Sequence, residues 1–148
     1  MKRSTLTLLF ILTAMHGALA LEGPEAAANA VLDRWASAFI ANDAEAVVKL
    51  YAPDALLHGT SSPTLNAGTD AIRLYFKGLP GSKLSVAFSQ RNLVVLSDAV
   101  VMSVGFYEFK PDGAPPRPSR FTFVIAKRGD EWSIIHHHSS ALPPPPKQ

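Results

Sequence analysis

The chain has 148 residues, of which 14 are Lys or Arg and 12 are Asp or Glu, and it contains no cysteine. This length suits one domain, and without cysteines its stability must come from core packing or assembly rather than from disulfides. The charges are nearly balanced and form no run of one sign. They therefore give no electrostatic basis for binding nucleic acid or an anionic membrane.

The first twenty residues have the pattern of a secretory signal peptide. Lys2 and Arg3 precede an apolar stretch over residues 6–15, which is too short to span a bilayer, and Ala18-Leu19-Ala20 fits a small-x-small cleavage site. We predict export to the periplasm or the medium, with cleavage after Ala20. An uncleaved membrane anchor is the alternative. Cleavage removes two basic residues and leaves twelve of each sign, so the mature chain is formally neutral.

Two helices are predicted at the start of the mature chain. Pro24 suits a first helical turn, and apolar residues recur at three- and four-residue spacing over residues 24–41. The stripe consists of Ala27, Val31, Leu32, Trp35, Ala38 and Phe39. Residues 42–45 have the types of a capping box, which predicts a second short helix that carries Tyr51 and ends at Pro53.

The rest of the chain is predicted as one strand, one helix and four long strands. Residues 55–58 read as a short strand, and Thr69 or Asp70 caps a third helix. Turn signals separate strands predicted over residues 84–96, 99–110, 119–127 and 132–140. Helices followed by strands indicate an α+β fold in which an antiparallel sheet wraps the first helix. We assign residues 21–143 to one domain and 144–148 to a disordered, proline-rich tail.

The last predicted strand carries three consecutive histidines. Side chains alternate along a strand, so His136 and His138 share one face while His137 shares the other with Ile135. We expect His136 and His138 to form hydrogen bonds within the sheet or across a subunit contact, together with Arg120. That face is the predicted assembly face.

A metal site at these histidines would need a further ligand. His136 and His138 are separated by about 6.6 Å of strand rise, and His58 and Glu108 are the only additional candidates. Neither lies at a spacing typical of metal ligands. We therefore predict no metal site and no cofactor.

Several segments carry a resemblance to a known family. They are Trp35-Ala36-Ser37-Ala38-Phe39, Tyr51-Ala52-Pro53-Asp54-Ala55, Phe121-Thr122-Phe123-Val124 and residues 127–140 with the sequence KRGDEWSIIHHHSS. The chain resembles the nuclear-transport-factor-2-like superfamily, also termed cystatin-like or SnoaL-like. Within it, the chain is most similar to the calcium/calmodulin-dependent protein kinase II association domain and its bacterial SgcJ/EcaC-type relatives.

The resemblance implies a cone-shaped cystatin-like fold with three N-terminal helices, a curved antiparallel sheet and a pocket at its open end. It also implies a homodimer or larger homo-oligomer formed through the convex sheet face. The chain has none of the kinase catalytic motifs. Phe106, Phe123 and Ser139 align with positions at which the animal domain projects arginines into its pocket, so this pocket should be more apolar. The residues expected to line it are Trp35, Phe39, Tyr51, Phe106, Phe123, Ile135, His137 and Ser139.

Two functional hypotheses follow. The favoured one is an exported, oligomerising domain that binds a small apolar or mixed molecule without chemistry of its own. The alternative is a SnoaL-like isomerase, cyclase or hydrolase that acts on a small carbonyl compound with His137 as its base. Tyr107 and Asp54 are further catalytic candidates, and Tyr51, His58 and Tyr75 are residues of suitable type.

Overall fold

Three helices and a six-stranded sheet form the described part of the chain, residues 23–144 of a computed structural model. The predicted signal peptide, residues 1–20, lies outside the described residues, as do residues 145–148 of the predicted tail. Within residues 23–144, no helix combines the length and apolar character needed to cross a membrane. The predicted α+β class is confirmed.

The helices are α1 (Pro24–Ile40), α2 (Ala44–Val48) and α3 (Gly68–Phe76). Helix α1 begins with Pro24 in its first turn and buries the stripe Ala28, Val31, Leu32, Trp35 and Phe39. Asn42 ends this helical segment in the left-handed conformation, with φ of 56°, and donates a side-chain hydrogen bond to the Phe39 carbonyl. Asp43 caps α2 by accepting a hydrogen bond from the Ala46 N–H at 2.9 Å.

The strands are β1 (Tyr51–His58), β2 (Asn66–Ala67), β3 (Ser85–Ser97), β4 (Val100–Lys110), β5 (Arg117–Arg128) and β6 (Glu131–Ala141). They are arranged in the order β2-β1-β6-β5-β4-β3. The sheet is antiparallel except for the parallel pair β1–β6. Helix α1 packs against β3, β4, β5 and β6. Its buried stripe joins the inward side chains of these strands in one core.

The prediction for Tyr51 and Pro53 is wrong. Helix α2 ends at Val48, and both residues belong to β1. Proline is tolerated in this strand because the pairing of β1 with β6 is interrupted between Tyr51 and Leu56, where no ladder hydrogen bond is required. Helical spacing in residues 47–51 concealed this change of structure.

A bulge in β6 changes which residues face the core. Val124 pairs with His136 and Ile125 pairs with Ile134, so Ile135 is an extra residue in β6. Ile134 is consequently fully buried while Ile135 is half-buried. Alternation resumes after the bulge, with His137 and Ser139 inward and His138 outward. The expected pairing of Ile135 with His137 on one face is therefore wrong.

Candidate functional site

A cavity of about 500 Å³ lies between α1, α3, the loop after β1, the start of β5 and the C-terminal half of β6. Four of the predicted pocket residues line it: Trp35 and Phe39 from α1, and His137 and Ser139 from β6. Tyr51 and Phe123 are buried behind this wall and contact His137. The cavity is therefore built around the inward side of the triple-histidine strand.

The other two predicted pocket residues, Phe106 and Ile135, lie away from the cavity. Phe106 is 43% exposed and points to the opposite side of β4 from the fully buried Tyr107, because neighbouring side chains alternate. The correct inward residue of that strand is thus Tyr107. Ile135 is displaced by the bulge described above and is half-buried away from the cavity lining.

Aromatic rings surround His137 on several sides. The Phe123 ring stacks on the imidazole with centroids 3.8 Å apart, and the Trp35 ring meets it edge-on at 5.5 Å. Trp35 also packs on Phe39 at 5.2 Å. These contacts leave His137 only 2% exposed. Its imidazole is a component of the core that reaches the cavity floor.

A continuous run of hydrogen bonds passes through this imidazole. We name it the Trp35–Thr60 chain, and its members in order are Trp35, Tyr51, His137, Tyr107, Ser139 and Thr60. Trp35 Nε1 lies 3.0 Å from the Tyr51 hydroxyl, which lies 2.8 Å from His137 Nδ1. His137 Nε2 lies 3.3 Å from the Tyr107 hydroxyl, which lies 2.5 Å from Ser139 Oγ. Ser139 Oγ in turn contacts Thr60 Oγ1.

The direction of the hydrogen bonds in the Trp35–Thr60 chain follows from Trp35. An indole N–H can only donate, so the Tyr51 oxygen accepts that bond and its own hydrogen goes to His137 Nδ1. The imidazole then carries its hydrogen on Nε2 and donates to Tyr107, which donates to Ser139. The other neutral tautomer would leave the Tyr51 hydrogen without an acceptor in the core, at a cost of about 1–3 kcal/mol. The neutral Nε2–H tautomer is therefore assigned.

Burial keeps the three titratable members of the Trp35–Thr60 chain, Tyr51, Tyr107 and His137, uncharged. Desolvation, with smaller contributions from His136 and His138, holds the pKa of His137 well below its usual range. Desolvation also raises the pKa of the Tyr51 and Tyr107 hydroxyls. The imidazole and both phenols are neutral throughout the physiological pH range, so they act as hydrogen-bonding groups rather than as charges.

The remaining catalytic candidates lie outside the cavity. Asp54 is exposed on β1 and forms an ion pair with Arg128 at 2.7 Å, and that hydrogen bond lowers the pKa of its carboxyl. His58 lies on the opposite side of the sheet from the cavity, with its ring centroid 5.8 Å from that of His138. The structure therefore groups Tyr107 with His137 and separates Asp54 and His58 from them.

We call the side of the sheet opposite the cavity the outer face. It carries the three predicted assembly residues, Arg120, His136 and His138, together with Leu56 and Phe106. Arg120 Nε donates to Ser140 Oγ at 3.0 Å. Desolvation and the neighbouring His138 and His58 lower the pKa of His136. Within residues 23–144, no group of three His, Asp or Glu side chains is arranged to hold a metal ion.

Sequence reasoning missed the residues at the cavity mouth. Gly59, Thr60 and Ser61 follow β1, and Arg117 begins β5. The Tyr75 ring of α3 also lines the cavity and packs so closely on Gly59 that a Cβ there would overlap it. The only sequence signal for these residues was the glycine followed by hydroxyl residues in the loop after β1. Their location beside α3 depends on tertiary structure.

Comparisons with known proteins identify the class to which this arrangement belongs. A structure from Caulobacter vibrioides described as having a cystatin-like fold has 19% identity and a TM-score of 0.70, with 80% of this chain and 89% of that one covered. A ketosteroid isomerase-like protein from Erwinia carotovora has 19% identity and a TM-score of 0.69, with 80% and 96% covered. These two likenesses establish the cystatin-like fold.

The family follows from two stronger matches. The model of the SnoaL-like domain matches residues 28–144. A structure from Xanthomonas campestris, assigned as a calcium/calmodulin-dependent protein kinase II association domain, has 33% identity and a TM-score of 0.75, with 85% of this chain and 93% of that one covered. No curated protein matches the chain. The chain belongs to the SnoaL-like domain family, and the resemblance drawn from its sequence is confirmed.

Proposed function

We propose that the protein is an exported, self-associating domain whose cavity binds a small, largely apolar molecule without transforming it. The observation that carries this proposal is the cavity wall. It combines aromatic side chains with a core imidazole whose two nitrogens are both engaged by tyrosine hydroxyls. Small-molecule sites commonly have this composition, in which an apolar lining is combined with a few placed polar groups.

The occupied imidazole weighs against the enzymatic alternative. A general base must offer a lone pair to its substrate. His137 Nδ1 accepts a hydrogen bond from Tyr51, and Nε2 carries the hydrogen donated to Tyr107. Within residues 23–144, no Asp or Glu lines the cavity to take that role instead. An isomerase, cyclase or hydrolase with His137 as base would first have to dismantle this arrangement.

Self-association is proposed through the outer face. Leu56, Val94 and Phe106, on three different strands of this face, are 40%, 44% and 43% exposed, so the face presents large apolar side chains to solvent. The Xanthomonas relative is named as an association domain. A second copy of the same face offers matching apolar surface together with Arg120 and His138.

Light scattering tests self-association. The mature protein at micromolar concentration should have at least twice the monomer mass, and Phe106→Glu should reduce it to the monomer because the charge would be buried in the contact. Leu74→Glu is the matched control, since Leu74 is 61% exposed on α3 and away from the outer face. A monomeric wild-type protein would contradict the proposal.

Ligand binding is tested with the fluorescent probe anilinonaphthalenesulfonate. The native protein should bind it with saturable fluorescence enhancement. Ala141→Trp, which fills the cavity mouth, should weaken binding at least tenfold. Leu142→Trp is the control because Leu142 is exposed but does not line the cavity. Equal binding by both variants would place the probe elsewhere.

Export rests on the N-terminal pattern. Mass spectrometry of the protein recovered from the periplasm or medium should give a chain that begins at Leu21. An intact N-terminus in a membrane fraction would favour the uncleaved anchor instead.

A further inference from the structure

The Trp35–Thr60 chain ends at the cavity, and its direction determines what it presents there. Ser139 Oγ accepts the Tyr107 hydrogen and contacts Thr60 Oγ1. The two hydroxyls share one contact but have two hydrogens. Whichever of them donates to the other, one hydroxyl hydrogen remains at the cavity wall. Within residues 23–144, no other side chain or backbone group accepts it.

Two further cavity groups are also donors. The Tyr75 hydroxyl accepts from Ser61 Oγ at 3.4 Å and donates to no described residue. Arg117 lines the mouth and, within the described part of the chain, forms no ion pair. The hydroxyl oxygens also keep lone pairs, so a donor can bind there, but only an acceptor pairs the leftover hydrogens. A buried hydrogen without an acceptor is the costlier omission, which favours an acceptor on the ligand.

We propose that the cavity selects apolar molecules whose polar head is a hydrogen-bond acceptor, and that the Thr60–Ser139 end of the chain binds this head. A carbonyl, an ether oxygen or a carboxylate satisfies the leftover hydrogen. An ammonium group or another donor-only head does not. This proposal rests on the proposed function, because it names the class of ligand that the same cavity binds.

The fixed direction gives this selectivity its physical basis. A free hydroxyl pair in water can rotate to accept as readily as it donates. Here the removal of the leftover hydrogen from the wall would require the Tyr107 hydrogen to turn toward His137 and the imidazole hydrogen to move from Nε2 to Nδ1. The Tyr51 hydrogen would then lose its acceptor, because the Trp35 N–H cannot reverse. The core indole therefore keeps one hydroxyl hydrogen at the cavity wall.

Displacement of anilinonaphthalenesulfonate by probes of one shape tests the ligand class. Methyl naphthyl ketone and isopropenylnaphthalene differ only in C=O against C=CH₂, and naphthoate and naphthylethylammonium add an anionic acceptor and a cationic donor. We expect the ketone to bind roughly tenfold more tightly than the alkene, the value of one hydrogen bond, and the ammonium to bind most weakly. Equal affinity of ketone and alkene, or preference for the ammonium, would overturn the proposal.

Variants locate the head group. Thr60→Val and Ser139→Ala each leave one hydroxyl hydrogen at the wall, so each should retain the ketone preference. The double variant should reduce it to about twofold or less. Tyr75→Phe is the matched control. It removes a cavity hydroxyl that does not belong to the Trp35–Thr60 chain, and it should retain the ketone preference. Loss in Tyr75→Phe with retention in the double variant would overturn the assignment to the chain. If Arg117→Gln weakens only naphthoate, the anionic acceptor is recognised at the mouth.

Failure of this inference differs from failure of the proposed function. If none of the four probes displaces the dye, both ligand binding at this cavity and the ligand class are wrong. If the alkene binds as well as the ketone, only the ligand class is wrong. The direction of the chain has its own readout, since the imidazole nitrogen chemical shifts of His137 should show a protonated Nε2 and an unprotonated Nδ1 in the free protein. The reverse assignment would remove the leftover hydrogen and overturn the proposal.

Discussion

The two faces of β6 place the same side chain in opposite environments. His137 is 2% exposed between aromatic rings and has both nitrogens hydrogen-bonded, whereas His138 is exposed on the outer face beside His58. Neighbouring positions on one strand thus hold a core imidazole at His137 and a surface imidazole at His138. Three identical residues in sequence can therefore serve two unrelated purposes.

Removal of each imidazole should give the largest contrast. His137→Ala leaves a cavity and deprives the Tyr51 and Tyr107 hydroxyls of their partner, so it should lower the free energy of unfolding by about 3 kcal/mol or more. His138→Ala should change it by less than about 0.5 kcal/mol. Urea denaturation of both variants measures the difference, and similar values would mean that the two faces are not distinct.

A single hydroxyl should give the next largest effect. Tyr51→Phe removes the link between Trp35 and His137 and leaves the indole N–H without its partner. We expect a loss of about 2 kcal/mol of unfolding free energy. Tyr75→Phe is the matched variant at the cavity wall, where the half-buried hydroxyl has water available, and it should lose less than about 0.5 kcal/mol.

Acid should destabilise the protein through its inner face. The pKa of His137 is lowered in the folded state, so below about pH 6.5 the unfolded chain binds a proton that the folded chain does not. Stability should therefore fall with decreasing pH, by up to about 1.4 kcal/mol per pH unit for this group. Denaturation curves at several pH values measure the slope.

A matched pair of variants identifies the source of that slope. His137→Gln should lose most of it, and His136→Gln should lose only a small part. His136 lies on the partly solvated outer face, where its pKa is also lowered but the imidazole retains contact with water. An unchanged slope in His137→Gln would show that His137 is not the group that titrates.

The smallest effect is expected at the predicted catalytic carboxylate that lies outside the cavity. Asp54→Asn removes an exposed ion pair with Arg128. Exposed pairs contribute little to stability, so the denaturation midpoint and dye binding should both remain unchanged. A marked loss of binding would show that β1 influences the cavity in a way that its surface position does not explain.

Local pattern was sufficient for most elements of the fold. The stripe that ends at Phe39 predicts α1, and turn residues such as Gly129 separate the long strands at nearly the observed positions. The local pattern gave the wrong structure at Tyr51, because the same apolar residues fit either a helix or a strand. The parallel pairing of β1 with β6 depends on contacts between residues about eighty positions apart, and no local signal specifies it.

The candidate site was predicted only in part, for reasons that alternation explains. His137 and Ser139 follow from strand parity and a family motif, and both line the cavity. Phe106 faces outward although its neighbour Tyr107 is fully buried, and a difference of one position reverses a side chain in any strand. Thr60 was missed because hydroxyl residues in a loop have no characteristic spacing, and its contact with Ser139 joins distant parts of the chain.

Gly59 gives the cavity a simple route to new ligand preferences. The Tyr75 ring occupies the space that a side chain at this position would need, and that ring is also part of the wall. Even an alanine here would force the ring to swing, since its outer atoms are the ones in contact. One small substitution in a surface loop can therefore reshape the interior while the core hydrogen bonds remain in place, so related sequences can diverge in ligand size without redesigning their fold.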